Sequence, residues 1–423
     1  MYHGELKMNI TVFVFAYPVL SETFVINELY QLQQIGVTGT IWREKNGDGK
    51  THPKARLLKL PVFTLPHKIL GRALFALMAD HFWWATNHPL RYLKLLVEVL
   101  RFFPDAESLK IFVKAVLSAR RVAEQHSELV YVHESDRSFV FGLCAARLCD
   151  LPLVIIFHTY YLFVEKRYVE HKVRLSSAVF LQSDYSRSVI AETVHDDKQL
   201  LSKCHVISSP GIDTEFFSPI KLSISGKRSF ASRAANPVLR VVSVGRLEEA
   251  KGFEYLLRAI ALVKKTPVSC QIIGEGSYRE RLQLLISELH LENKVKLLGS
   301  ISHTEALQDK LRTADVFVLP SIQDSEGVHD VHPNAVKEAM SAGLIVITTR
   351  LGGIDEFISH GENGLLIDQA DPDLIASAIE HIAQLSDCER ARIESNARVT
   401  IVENYGADEI TNKLLHLLKT HVK

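Results

Sequence analysis

Short runs of apolar, often β-branched residues alternate along this chain with longer stretches whose apolar positions recur every three or four residues. A short run bounded by turn residues suits a strand covered on both faces, whereas a three-to-four repeat suits a helix with one buried face. On this basis residues 10–15, 129–132, 153–157, 178–181 and 204–207 are expected to be strands. The rhythm stops at residues 220–237, where Ser, Arg, Ala and Lys form no apolar face, and restarts with a new first strand at 239–244. It then runs through strand 269–273, helix 278–289, strand 295–298, helix 304–313, strand 316–319, helix 333–341 and strand 345–348. This alternation predicts an α/β chain with a doubly wound parallel sheet, and its restart predicts two Rossmann-like domains in series.

Residues 68–103 break the alternation. Ile69, Leu70, Ala73, Leu74 and Leu77 stand at helical spacing, Phe82, Trp83 and Trp84 follow, and residues 66–121 carry nine Lys or Arg against four Asp or Glu. A basic, aromatic, amphipathic stretch is what a protein lying on an anionic membrane surface uses, and a helical insertion packed on its own domain fits the same pattern. Both readings stay open. The first apolar run follows Lys7 but meets Ser21-Glu22-Thr23 without a small-residue cleavage site, so it reads as a buried strand and not a signal peptide. Met8, directly before that strand, is an alternative start to Met1. No uninterrupted apolar stretch reaches the roughly 18 residues of a membrane span.

Composition narrows the function classes. With 423 residues, 47% hydrophobic and 23% charged, the chain is ordinary globular protein of two or three domains. Its 49 basic and 49 acidic residues give no net charge, which argues against a chain-wide nucleic-acid binder. Cys144, Cys149, Cys204, Cys270 and Cys388 are scattered without metal-ligand or redox spacing and read as reduced thiols of a cytoplasmic protein.

Candidate chemistry falls on turns that follow strands, the edge at which open α/β folds bind ligands. After strand 239–244 come Gly245, Arg246, Lys251 and Gly252. Arg246 and Lys251 on one loop suit a diphosphate, as a planar fork and a point charge, and a solvated charged loop is the plain alternative. Strand 269–273 ends in Gly274-Glu275-Gly276, a weak signal alone that gains worth as the next strand-to-helix switch. After strand 316–319 the chain reads Asp330-Val331-His332-Pro333-Asn334-Ala335-Val336-Lys337-Glu338. Pro333 and Asn334 open a helix whose amino end favours an anion, and Asp330 and Glu338 supply two carboxylates for hydroxyls or for a salt bridge. On an otherwise apolar helix, a buried Glu338 needs a partner.

These elements together resemble the donor-binding domain of retaining GT-B glycosyltransferases of the glycosyltransferase family four type. The resemblance continues through Gly343-Leu344-Ile345-Val346-Ile347-Thr348, Gly352-Gly353-Ile354-Asp355-Glu356 and Gly361-Glu362-Asn363-Gly364-Leu365-Leu366, and covers nearly all of residues 239–368. It implies that Arg246 and Lys251 contact the nucleotide diphosphate, that Glu338 holds the ribose and that Asp330 contacts the transferred sugar. The chain carries D-x7-E where the family has E-x7-E, and Glu326 is an alternative first acid. Asp330 is preferred because Asp-Val-His-Pro-Asn resembles a form found in exopolysaccharide members.

The first half supports the resemblance more loosely. Pro18-Val19-Leu20-Ser21-Glu22-Thr23-Phe24 is similar to the opening of bacterial polysaccharide transferases, which assigns Ser21, Glu22 and Thr23 to the acceptor side. His158, after strand 153–157, falls where the family places a histidine against the donor sugar in the interdomain cleft, and His133 also fits. In the segment Ser209-Pro210-Gly211-Ile212-Asp213, Pro210 stands where the family has Asn.

The expected architecture is therefore GT-B: residues 1–219 as an acceptor-side domain with the insertion 68–103, 220–237 as linker, 238–404 as nucleotide-sugar domain, and 405–423 crossing back to the first. The resemblance implies a retaining transferase moving a hexose from a nucleotide diphosphate sugar to a hydroxyl of a glycan or lipid-linked glycan, in cell-surface polysaccharide synthesis. No metal or other cofactor is expected, since cationic side chains and a helix end do that work. The expected location is cytoplasmic, peripheral on the inner face of the plasma membrane, with no nucleic-acid partner. A nucleotide-sugar binder without transferase activity is one competing reading. A GT-B sugar epimerase is another, and it needs acid/base groups for which the first half offers no evident carboxylate constellation.

Overall fold

The computed structural model describes residues 8–19, 23–47, 53–66, 72–133, 136–158, 162–164, 166–219, 238–301 and 305–422. Two compact units divide them: Met1–Pro210 with Thr411–Lys423, and Gly211–Ile410. The expected linker 220–237 lies outside the described residues. The first unit ends before residue 219 because Ile212 and Phe217 are already in the core of the second, where Ile212 N–H donates to Tyr405 C=O at 2.7 Å.

The first unit is built on β1 (Met8–Tyr17), β2 (Val37–Asn46), β3 (Val62–Thr64), β4 (Leu129–His133), β5 (Leu153–Ile156), β6 (Ala178–Leu181) and β7 (Cys204–Val206), ordered β3-β2-β1-β4-β5-β6-β7 with every pair parallel. The second holds β8 (Leu239–Val244), β9 (Val268–Ile273), β10 (Val295–Leu297), β11 (Val316–Leu319), β12 (Ile345–Thr349) and β13 (Leu365–Ile367), ordered β10-β9-β8-β11-β12-β13. In both, the strand order reverses beside the first strand, which is the Rossmann arrangement. Helices cover both faces, so β4, β5, β6, β11 and β12 are buried along their whole lengths, and this is why they read as unbroken apolar runs.

The insertion forms two helices, Arg72–Asn87 and Pro89–Phe102, and residues 67–71 ahead of them are not described. One face of each packs inward through Leu77, Trp84, Leu95 and Val99, against helices Ala106–Glu124 and Asp136–Cys149. The other face stays apolar and exposed: Phe75, Met78 and Phe82 on the first helix, Leu90, Leu93, Val97 and Leu100 on the second. No helix among the described residues is long and apolar enough to cross a membrane. The last helix, Ala407–Thr420, belongs to the first unit from Thr411 onward, and Thr411 Oγ1 lies 3.2 Å from Gln31 Oε1 there.

Candidate functional site

In the second unit the turns after β8, β9, β11 and β12 gather at the carboxyl edge of the sheet and are laced together by backbone. Gly245 N–H donates to Ile273 C=O at 3.0 Å, Leu247 N–H to Glu275 C=O at 2.9 Å, and Ile322 N–H to Ala250 C=O at 2.9 Å. The glycines make this approach possible. Gly252 has φ +65° and a Cβ there would stand 1.9 Å from Pro320 O; a Cβ on Gly274, at φ +155°, would stand 1.8 Å from Gly245 O. Gly276 meets Leu247 in the same way, so the Gly-x-Gly signal marks loop-to-loop contact as well as a turn.

Lys251 is the keystone of the arrangement. Its Nζ lies 2.5 Å from Oδ1 of Asp330, whose Oδ2 accepts from Ser321 Oγ at 2.5 Å, so the loops after β8 and β11 are tied by one carboxylate. Burial alone would raise the Asp330 carboxyl, but Lys251, the Ser321 hydroxyl and Arg246 outweigh it and hold the group below its usual range. Arg246 is half exposed and pairs with Glu248 at 2.9 Å, a surface contact that a diphosphate can replace with a bidentate one. Glu326 is exposed on the preceding turn, and it is Asp330, not Glu326, that meets Lys251. Glu275 turns its side chain to Arg279, 3.0 Å away.

The helix Asn334–Ser341 begins after Pro333 and presents its first-turn N–H groups at this edge, Asn334 half-buried. Glu338 is buried one turn in, beside the buried Lys337. Burial lowers the Lys337 ammonium to about 7, against a smaller opposing pull from Glu338, and its Nζ sits over the Tyr405 ring at 5.6 Å. His332 is buried nearby, its Nε2 2.9 Å from Gly353 C=O and 3.3 Å from Glu356. The spacing argument missed Ser321 and Lys337. Ser321 adjoins the strand-closing Leu319-Pro320, but a lysine on a buried helix face carries no signal that separates it from a surface one.

The first unit has its own constellation. His133 ends β4 and His158 follows β5, its neighbour in the sheet, and His133 Nδ1 lies 3.2 Å from His158 Nε2. Glu28, 2% exposed on helix Thr23–Gln34, puts Oε1 3.2 Å from His133 Nε2 and accepts from Ser209 Oγ. Burial, then the charge of Glu28, pushes the Tyr131 phenol well up. Burial, then His133, pushes His158 well below the usual imidazole range. The first half therefore holds one buried carboxylate, Glu28, grouped with two histidines. Glu28 was legible as a lone acid among Val25, Ile26, Leu29 and Leu32, the same signal that singled out Glu338. Thr23 opens this helix, and Ser21 and Glu22 lie outside the described residues. Among the described residues no cluster of three or more His, Cys, Asp and Glu side chains is placed to hold a metal ion.

Two parallel-sheet Rossmann-like units with this edge chemistry define a GT-B glycosyltransferase fold. Residues 227–400 match the family model described as glycosyl transferases group 1. The putative colanic acid biosynthesis glycosyltransferase WcaL of Escherichia coli strain K12 is 29% identical over 50% of this chain and 50% of its own length. The chain thus spans about half the length of the first curated relatives it matches. The amylovoran biosynthesis glycosyltransferase AmsK of Erwinia amylovora is 26% identical over 89% of this chain and 91% of its own. Among solved structures, Anabaena Alr3699/HepE in complex with UDP shares the fold with a TM-score of 0.71 at 18% identity, covering 98% of this chain and 100% of that one. A glycosyltransferase from Rickettsia africae ESF-5 has a TM-score of 0.72 at 17% identity, covering 99% of each chain.

Proposed function

We propose that the protein transfers a hexose from a nucleotide diphosphate sugar to a hydroxyl of a glycan or lipid-linked glycan, with retention at the anomeric carbon, in polysaccharide synthesis. The observation that carries this reading is the Lys251–Asp330–Ser321 tie at the point where the strand order reverses, with Arg246 beside it and a helix amino end at the same edge. The diphosphate takes Arg246 and Lys251 as its cations, and these donors, already in place, stabilise the charge that develops as the glycosidic bond to phosphate breaks. Glu338 accepts from the ribose hydroxyls. Both Asp330 oxygens are engaged, so its part in sugar binding works together with Lys251 and Ser321. His158 is the first unit's contribution to the reaction. The relatives' names, colanic acid and amylovoran biosynthesis, support a polysaccharide acceptor.

The reading assigns leaving-group stabilisation to side chains, so turnover is expected to survive EDTA. It also places the protein at the inner face of the plasma membrane, held by the exposed apolar faces of the insertion helices and by Arg91, Lys94 and Arg101 on the second of them. The deciding experiment incubates the protein with nucleotide sugars and lipid-linked acceptors and follows nucleotide diphosphate release and the anomeric configuration of the product by NMR. Release that depends on acceptor, with donor and product sharing one configuration, is expected. Inversion contradicts the mechanism, and release of nucleotide with a rearranged free sugar contradicts the transfer.

A further inference from the structure

We propose that Glu28 and His133 form a positioning relay that fixes the proton of His158 on Nε2 and leaves Nδ1 of His158 as the acceptor for a hydroxyl of the bound substrate. The inference rests on the reading of His158 as the first unit's catalytic group and says how that group is prepared.

The geometry allows one consistent order of protons. The Ser209 hydroxyl bonds to Glu28 Oε2, while Glu28 Oε1 and His133 Nε2, both buried and neither with a hydrogen bond of its own, stand 3.2 Å apart. With Oε2 taken by Ser209, Oε1 is the acceptor left for His133. These two buried atoms satisfy each other when His133 carries its proton on Nε2. A neutral imidazole has one N–H, so its Nδ1 is an acceptor, and the His158 Nε2 that lies 3.2 Å away must be the donor. Nδ1 of His158 is left unprotonated and has no hydrogen-bond partner among the described residues. The two rings lie nearly parallel, 9° apart, and the Phe24 ring packs on His158 with centroids 4.4 Å apart, which restrains the imidazole plane.

Packing alone does not account for this chain of groups. A carboxylate and an imidazole inside a core cost desolvation, and apolar residues of similar volume are commonly as stable or more so. The elements that bring the three together are the helix Thr23–Gln34 and the carboxyl ends of adjacent strands β4 and β5, the edge at which α/β sheets act on ligands. Carboxylate, imidazole and acting group follow the logic of a catalytic triad, in which the acid sets the tautomer of the ring beyond it. Here a second imidazole is the acting group.

The tautomer can be read directly by long-range proton–nitrogen NMR on the full chain with labelled histidine, the His158 signals being assigned by their loss in His158→Ala. The wild type is expected to show His158 protonated on Nε2. In Glu28→Gln the amide carbonyl takes the Ser209 hydroxyl and the NH2 faces His133, so both rings invert and His158 carries its proton on Nδ1. Turnover is then expected to fall about a hundredfold, with the donor KM within about threefold of wild type, in line with the cost of a wrong tautomer or lost orienting partner elsewhere. Glu28→Asp keeps the charge and the proton order and retains activity to within about tenfold. An Nδ1–H tautomer in the wild type, or one unmoved by Glu28→Gln, overturns the relay, and the wild-type spectrum and Glu28→Asp decide the matter even if the Gln variant does not fold. If His158→Ala turns over like the wild type, the catalytic reading of His158 falls. If His158→Ala is inactive while an inverted Glu28→Gln is fully active, the positioning role alone falls.

Discussion

Asp330 and Lys251 each keep the other's charge from being stranded. Both side chains are about 15% exposed, so replacing Asp330 by Asn leaves a largely buried ammonium with a neutral neighbour. Asp330→Asn is expected to lower stability by about 2 kcal/mol at neutral pH, and added nucleoside diphosphate to restore part of it, because phosphate supplies the missing negative charge. The carboxyl is depressed below its ordinary 3.8 in the fold, so its contribution is present above that value and is lost as pH falls through the lower folded one. Thermal unfolding of the two proteins should therefore differ at pH 7 and converge in acid. Lys337 runs the other way. Burial brings it from 10.5 to about 7, so between those values the unfolded chain binds more protons, and this residue's penalty eases as pH rises from 7 toward 10.5. Lys337→Met is expected to raise the midpoint by about 2–4 °C per kcal/mol gained, with the advantage over wild type shrinking as pH rises.

At the scale of elements, the site depends on how closely four turns approach one another. Gly252 combines a left-handed backbone with a contact no Cβ can make, and the turn it closes carries Lys251 and Arg246. Gly252→Ala is expected to cost more than about 2 kcal/mol and to weaken donor binding at least tenfold, measured by unfolding and by calorimetric titration. Gly361→Ala, where nothing lies within 4 Å of the added carbon, has only its backbone strain and should cost less and spare binding. The insertion helices explain why their sequence supported two readings at once. Each has one apolar stripe buried against its own domain and a second one exposed, so both patterns were present in the same residues. Phe82→Glu with Leu90→Glu is expected to abolish sedimentation with phosphatidylglycerol vesicles at low salt while leaving the unfolding midpoint nearly unchanged, since both side chains are more than 70% exposed.

For the whole molecule, what could be read in advance follows burial. Strands covered on both faces, such as β11 and β12, announced themselves as apolar runs, and the chemistry on the turns after β8, β9 and β11 was legible because glycine, proline and charge cluster there. β2 was not recognised. Its Thr-Gly-Thr start and Arg-Glu-Lys end resemble a loop, although Gly39 is there because β1 approaches to where a Cβ would meet Ile10 O at 1.8 Å. β3 and β13 were not recognised either, although β7 and β10 are equally short. Glu28 stands out as a lone acid on an apolar helix, but its partners His133 and Ser209 come from distant stretches of chain, and only the fold gathers them.

The central claim is that the second unit binds a nucleotide diphosphate sugar through Arg246, Lys251 and Glu338. The most direct test is thermal unfolding of the wild type and of Glu338→Ala across a panel of nucleotide sugars, because a ligand of the native state stabilises it by about 2.7 kcal/mol at a hundred times its Kd. The account predicts that one donor raises the wild-type midpoint by several degrees and that Glu338→Ala loses that protection. No protection of the wild type by any donor at saturating concentration would contradict it.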